Sequence, residues 1–149
     1  MSEAGRIVDV GAKDRTERSA TAGCVITMTP QACAELLKGT PKGDPIEAAK
    51  VAGLMGIKRT PDLLPFCHPI QITGAEVRID PDVTTGQIQV RVTVRANDRT
   101  GVEMEALTAV AVGALALIDM VKAVDKHARI TDVHVTAKSG GRSGDWVEP

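Results

Sequence analysis

The chain concentrates its reactive side chains in a few short stretches, the densest being Lys58-Arg59-Thr60-Pro61-Asp62-Leu63-Leu64-Pro65-Phe66-Cys67-His68-Pro69. Cations, carboxylate, thiol and imidazole share it with three prolines. Proline fixes φ and restricts the residue before it, which predicts one stiff extended or turned path. Ordered loops on rigid scaffolds often carry function. Adjacent Cys67 and His68 lack metal-ligand spacing, so His68 reads as a metal-free hydrogen-bonding or acid/base group. Cys67 reads as a packing thiol, because nothing in the sequence signals a depressed thiol pKa.

A second cluster lies on a long apolar helix. At about 100° per residue, Glu105, Thr108, Asp119, Lys122 and Lys126 fall on one stripe, with Val112 and Leu115 between them. Glu105 and Asp119 stand about 21 Å apart at 1.5 Å per residue. They can serve one small-molecule site only if other segments, or another subunit, bring the two ends together. Asp119 and Lys122 are i,i+3 neighbours. That pair is either a solvated ion pair or a tunable acid/base unit, its carboxylate favoured by the ammonium and disfavoured by burial.

Lys42 precedes a helix start, where backbone N–H groups favour anions; the competing reading is a solvated loop lysine. The tail Lys138-Ser139-Gly140-Gly141-Arg142-Ser143-Gly144 has the composition to wrap phosphates with backbone N–H groups. It lacks the order of a P-loop, and a flexible basic tail is the alternative. His127 and His134 read as surface histidines.

Positioning these groups falls to a single domain. Residues 1–20 read as a mobile N-terminal arm, and residues 21–149 as the domain, with a flexible tail from about 138. Ala22–Met28 is expected to be a strand. Thr29-Pro30 supplies an N-cap and an N1 proline for a short helix through Leu37, and Gly39–Gly43 breaks it. Asp44-Pro45 repeats the cap and opens a helix from Ile46 to about Ile57. Gln71–Asp80 and Gln87–Arg95 alternate as strands about a turn at Pro81–Gly86; Ile88, Val90, Val92 and Val94 face the core. Thr100 is expected to cap a helix from Gly101 to about Val124. Ile130–Ala137 completes the set, with Val133, Val135 and Ala137 inward and Asp132, His134 and Thr136 outward. This order predicts an α+β, ferredoxin-like β-α-β-β-α-β domain, an antiparallel sheet packed on helices. Many unrelated functions use that architecture.

Bulk properties narrow the class. A chain of 149 residues suits one domain and buries roughly 70% of its unfolded surface. Phe66 and Trp146 are the only aromatics and Tyr is absent, so the core is built from small aliphatics, which suits close approach and subunit interfaces. A net charge of −1 without a basic stripe disfavours nucleic acid as a partner. The three cysteines lack C-x-x-C spacing, which predicts reduced thiols and a cytoplasmic protein. The first residues carry no signal-peptide core. The apolar run Leu107–Ile118 is too short for a bilayer, so no membrane partner is expected.

Taken together, Lys58–Pro69, Arg99–Ala109, Asp119–Lys126 and Lys138–Gly144 resemble the molybdenum cofactor biosynthesis protein C family, the cyclic pyranopterin monophosphate synthases. The resemblance runs from about Val8 to Asp145 and includes Val8-Asp9-Val10 and Ala12-Lys13. It implies a lyase that rearranges a 3′,8-cyclised dihydroguanosine triphosphate into a pyranopterin with a cyclic phosphate, releasing pyrophosphate. It also implies a homohexamer, a trimer of dimers, with sites at subunit interfaces. By the same resemblance Asp119, Lys122 and Lys42 are catalytic. Phe66, Cys67, His68, Met104, Glu105, Lys58, Glu103 and Arg18 are substrate-binding, with Lys138 and Arg142 as further candidates for the triphosphate. Phe66, Ile118 and Val121 depart from the family's usual Leu, Tyr and Cys, which puts pocket shape rather than proton transfer in question. No cofactor and no protein-held metal is expected, and Mg²⁺ is compatible with the triphosphate itself. A catalytically silent nucleotide-binding module is the alternative, and a Cys/His metalloprotein a weaker one.

Overall fold

The computed structural model describes residues 4–149. Along the chain lie β1 (Thr16–Thr27), α1 (Pro30–Leu37), α2 (Pro45–Leu63), β2 (Ile72–Asp82), β3 (Gln87–Asp98), α3 (Glu103–Val121), β4 (Arg129–Ser139) and β5 (Trp146–Val147). The strands form one antiparallel sheet in the order β2-β3-β1-β4-β5. This is the expected α+β, ferredoxin-like arrangement, extended by α1 and the short β5. The alternation in β3 sets the core: Ile88, Val90, Val92, Val94 and Ala96 are at most 1% exposed, and they meet Ala106, Ala109, Val110, Ala114 and Leu117 in the buried core.

The small-residue composition shows its use between α2 and α3. A Cβ added at Gly53 would sit 3.3 Å from the carbonyl oxygen of Ala109, and one at Gly113 would sit 3.2 Å from that of Ala49. The two helices therefore touch nearly backbone to backbone, an approach larger side chains would forbid. With 19 residues and a mean hydropathy of 1.8, α3 is long and apolar enough to cross a membrane, unlike the shorter run weighed from the sequence. Here its Ala106, Ala109, Val110, Ala114 and Leu117 are wholly buried in the domain core.

Several boundaries differ from expectation. β1 begins at Thr16, and Thr16–Ala20 pair with Asp98–Val94, so these five residues of the arm expected over 1–20 are strand instead. Polar outward positions in a strand look like an arm when its partner is unknown; residues 1–3 lie outside the described part. α2 continues to Leu63, so the first half of the proline-rich stretch is helical. Pro61 falls in the last turn of α2, where it forgoes the N–H bond back to the Ile57 carbonyl but has little helix left to break, and Leu64 N closes that turn on the Thr60 carbonyl at 2.9 Å.

Thr100 does not cap α3. Val102 occupies that position without a side-chain bond, and the helix ends at Val121. In β4 the register slips between the partners of Gly23 and Val25, where Asp132 adopts φ 58°. That irregularity turns Val133, expected inward, out to 44% exposure. Lys138 and Ser139 belong to β4, and β5 pairs back on it, so the expected loose tail is a hairpin.

Candidate active site

At the C-terminal end of α3, Asp119 is held between two ammonium groups. Lys122 Nζ lies 2.8 Å from Asp119 Oδ1, and Lys42 Nζ lies 2.5 Å from Oδ2. Lys42 reaches it from a tight turn in which Thr40 and Gly43 exchange backbone bonds of 3.1 and 2.9 Å, with Gly43 at φ 112°. Asp44 then caps α2, accepting from Ile46 N at 2.9 Å and Glu47 N at 3.3 Å. The bonds from Lys122 and Lys42 push the Asp119 carboxyl down to about 2. Asp119 is therefore an anion at neutral pH, 47% exposed, flanked by two proton donors. Lys42 extends the Asp119–Lys122 pair to three charged groups, each about half exposed.

The opposite end of α3 borders a cavity of about 510 Å³. Arg18, Lys138 and Arg142 line it with Glu103, as do Lys13, Asp14 and Thr100, which the sequence did not single out as site residues. Lys138 Nζ stands 2.9 Å from Glu103 Oε1 with both side chains largely buried. Arg18 Nε donates to the Asp98 carbonyl at 3.0 Å, and Arg99 Nε to the Lys13 carbonyl at 3.1 Å. The N-terminal segment is thus tied to the end of β3. Four cations against two carboxylates make this cavity suited to a polyanion.

A smaller cavity of about 250 Å³ lies beside it, lined by Lys58 and Glu105 with Ile57, Pro61, Pro69, Ile70 and Ile72. Glu105 is 3% exposed, and burial pushes its carboxyl up to about 7, with Glu103 and Asp98 adding to the effect. A carboxyl so placed is able to exchange a proton in the neutral range. Burial, then Glu105, raises the Cys67 thiol, so Cys67 is no activated nucleophile, in keeping with a packing role. His68 is half-buried next to Cys67; Phe66 is 57% and Met104 40% exposed. Asp98 is a residue that sequence reasoning missed. Its carboxylate accepts from Gln71 N at 2.9 Å and Arg99 N at 2.8 Å, pinning the segment after His68 to the end of β3. Burial works against the Asp98 anion, but these bonds outweigh it and hold the carboxyl below its usual range.

The structure places most of the anticipated residues in two groups, candidate half-sites, while Phe66, His68 and Met104 line neither cavity. Lys42, Asp119 and Lys122 meet at one end of α3. Arg18, Glu103 and Lys138, and beside them Lys58, Glu105 and Cys67, gather near the other. About 21 Å of helix separates Glu105 from Asp119. Lys13 and Asp98 were missed for a definite reason: the Lys13 carbonyl meets Arg99, and the Asp98 carboxylate meets Gln71 N, only once the chain has folded. Among the described residues, no group of three or more His, Cys, Asp or Glu side chains is arranged to hold a metal ion.

Comparison with known proteins adds an independent line. A family model for the MoaC family matches residues 7–141. The cyclic pyranopterin monophosphate synthase of Streptomyces coelicolor is 54% identical over 151 residues, spanning 99% of this chain and 87% of that protein. The proteins of the same name from a Nocardioides species and from Brucella abortus are each 50% identical, over 150 and 145 residues. Those alignments cover 99% and 97% of this chain, and 92% and 88% of the relatives. Sequence likeness along almost the whole length, on a fold of the expected type, leaves one conclusion: the chain belongs to the MoaC family.

Proposed function

We propose that this protein is a cyclic pyranopterin monophosphate synthase, a lyase of molybdenum cofactor biosynthesis. In this reading it converts (8S)-3′,8-cyclo-7,8-dihydroguanosine 5′-triphosphate to cyclic pyranopterin monophosphate and pyrophosphate. The observation that carries the reading is the presence of a cation-lined cavity at one end of α3 and an ammonium–carboxylate–ammonium unit, completed by Lys42, at the other. The name shared by its relatives supports it.

The chemistry fits those two parts. A substrate hydroxyl oxygen attacks the α-phosphorus, the bond from that phosphorus to the departing pyrophosphate breaks, and the hydroxyl proton passes to a base. Arg18, Lys58, Lys138 and Arg142 neutralise charge on the leaving group. Ring opening and reclosure move protons but transfer no electrons to a second reactant, so no redox cofactor is called for. Mg²⁺ enters this scheme on the substrate side, carried by the triphosphate. Asp119, Lys122 and Lys42 are assigned the catalytic proton transfers. Phe66, Cys67, His68, Met104, Glu105, Lys58, Glu103 and Arg18 are assigned the substrate contacts.

Because the two half-sites lie apart, the reading requires a second copy. Met104 and Leu115 on α3 and Val51, Leu54 and Met55 on α2 are 40–57% exposed, an apolar face on the helical layer. A twofold axis crossing α3 near Val112 would set the N-terminal end of one helix beside the C-terminal end of the other. Glu105 of one copy would then face Asp119 of its mate. Such dimers, three to a hexamer, are the assembly proposed here. The three cysteines are free thiols, which supports placement in the reducing cytoplasm. The direct test is incubation with the cyclised triphosphate, assaying pyrophosphate and pterin product. Both are expected; binding without pyrophosphate release would point instead to a silent nucleotide-binding module.

A further inference from the structure

The chain's last residues fold back on β4 and bring part of the cavity rim with them. Gly140 and Gly141 turn at φ 84° and 80°. Gly141 lies so close to the Arg18 guanidinium that a Cβ there would collide with it. Gly141, Arg142 and Ser143 line the cavity. Gly140 N donates to Asp145 Oδ1 at 2.8 Å, closing the loop. Trp146 and Val147 then pair with Lys138 and Ala137, and Glu148 N donates to the Thr136 carbonyl at 2.8 Å. A two-residue leg is held weakly by its ladder alone.

A side-chain fastening reinforces that leg. His134 Nδ1 lies 2.6 Å from the Asp132 carbonyl oxygen, and Nε2 lies 2.7 Å from Glu148 Oε2. Both partners only accept. A neutral imidazole has one N–H, so it would satisfy one partner and turn a lone pair on the other. Only the imidazolium satisfies both. Asp80 of β2 lines the same groove with Asp132 and Glu148 and favours a cation there, whereas Arg91 of β3, which also lines it, opposes one; the carboxylates outnumber the guanidinium. The Asp132 carbonyl and the Glu148 carboxylate raise the proton affinity of the ring.

We propose that the His134–Glu148 pair is a proton-operated clasp that holds the β5 leg, and through it Arg142, at the phosphate-binding cavity. The phosphate ligand rests on the synthase reading; the clasp does not. The family model ends at residue 141, so the leg and Glu148 lie beyond the part it matches. Both residues are positioning residues, since neither lines the cavity. The ring is charged in the folded protein at pH values below its ordinary value of about 6.5. Because the folded-state pKa is raised, the clasp is lost only as pH climbs through that raised value.

The test titrates wild type, Glu148→Gln and Glu148→Asp with inorganic pyrophosphate between pH 6 and 8.5. Fluorescence of Trp146, the only tryptophan, is followed in parallel. Comparing variants at each pH removes the ionisation of pyrophosphate itself. At pH 6, Glu148→Gln is expected to bind roughly three- to fivefold more weakly than wild type, and the ratio should fall towards one at high pH. Glu148→Asp should recover part of the loss, and turnover by Glu148→Gln should show a raised KM with kcat retained. Equal affinities at pH 6, or a ratio indifferent to pH, would overturn the clasp. A pH-dependent ratio in a protein that releases no pyrophosphate would overturn the synthase reading and leave the clasp standing.

Discussion

Asp119 sits between Lys42 and Lys122, and Glu105 is buried, so two carboxylates of one helix have opposite shifts in proton affinity. In the proposed reading, that divergence lets a shared site hold both an anion and a neutral acid near pH 7. Asp119→Asn keeps the size of the side chain but removes the charge between the ammoniums. It should fold and bind substrate while kcat falls by about 100-fold or more, in single-turnover measurements. Glu105 makes a separate, pH-dependent statement. Its folded-state value of about 7 lies above the unfolded one, so its favourable contribution is complete below the unfolded value near 4.5 and lost as pH rises through 7. Glu105→Gln mimics the protonated acid. It should melt with wild type near pH 4.5 but on the order of 5 °C higher at pH 8, by calorimetry across pH. Equal melting at both values would show that burial does not penalise the anion.

At the scale of elements, α3 is the beam that spaces the half-sites, and its contact with α2 fixes where both ends lie. Gly113 faces the Ala49 backbone and Gly53 faces that of Ala109. Gly113→Val would drive two helices apart and should cost about 1–3 kcal/mol in urea unfolding. Activity should fall along with stability, because Lys42 rides on the turn before α2 and Asp119 on α3. The sequence showed this beam readily: its apolar run, its polar ends and the alternation of β3 are local patterns. It was less informative where non-local pairing decides the outcome. Thr16–Ala20 looked like an arm because its partner, Val94–Asp98, is far along the chain. Val133 broke the alternation because a register slip in pairing with β1 is invisible in β4 alone. Pro61 looked like a loop brace because proline usually ends a helix before itself, whereas α2 carries it for one more turn.

For the molecule as a whole, chemistry-bearing residue types were legible and their grouping was not. Lys42, Asp119 and Lys122 stood out as residues, yet only the fold sets Lys42 against Asp119 across 77 positions. His134 read as an ordinary surface histidine because Glu148, its partner, is contributed by a returning tail. The proposed sharing of one site between copies rests on the length of α3 between Glu105 and Asp119. Subunit complementation tests it most directly. Asp119→Asn and Glu105→Gln homo-oligomers, each inactive or nearly so, are mixed, exchanged and assayed for pyrophosphate release. Shared sites require that a mixed pair rebuild one intact site, so activity should return to roughly a quarter of wild type after random exchange. No recovery, with exchange verified by mass, would contradict a site shared between copies.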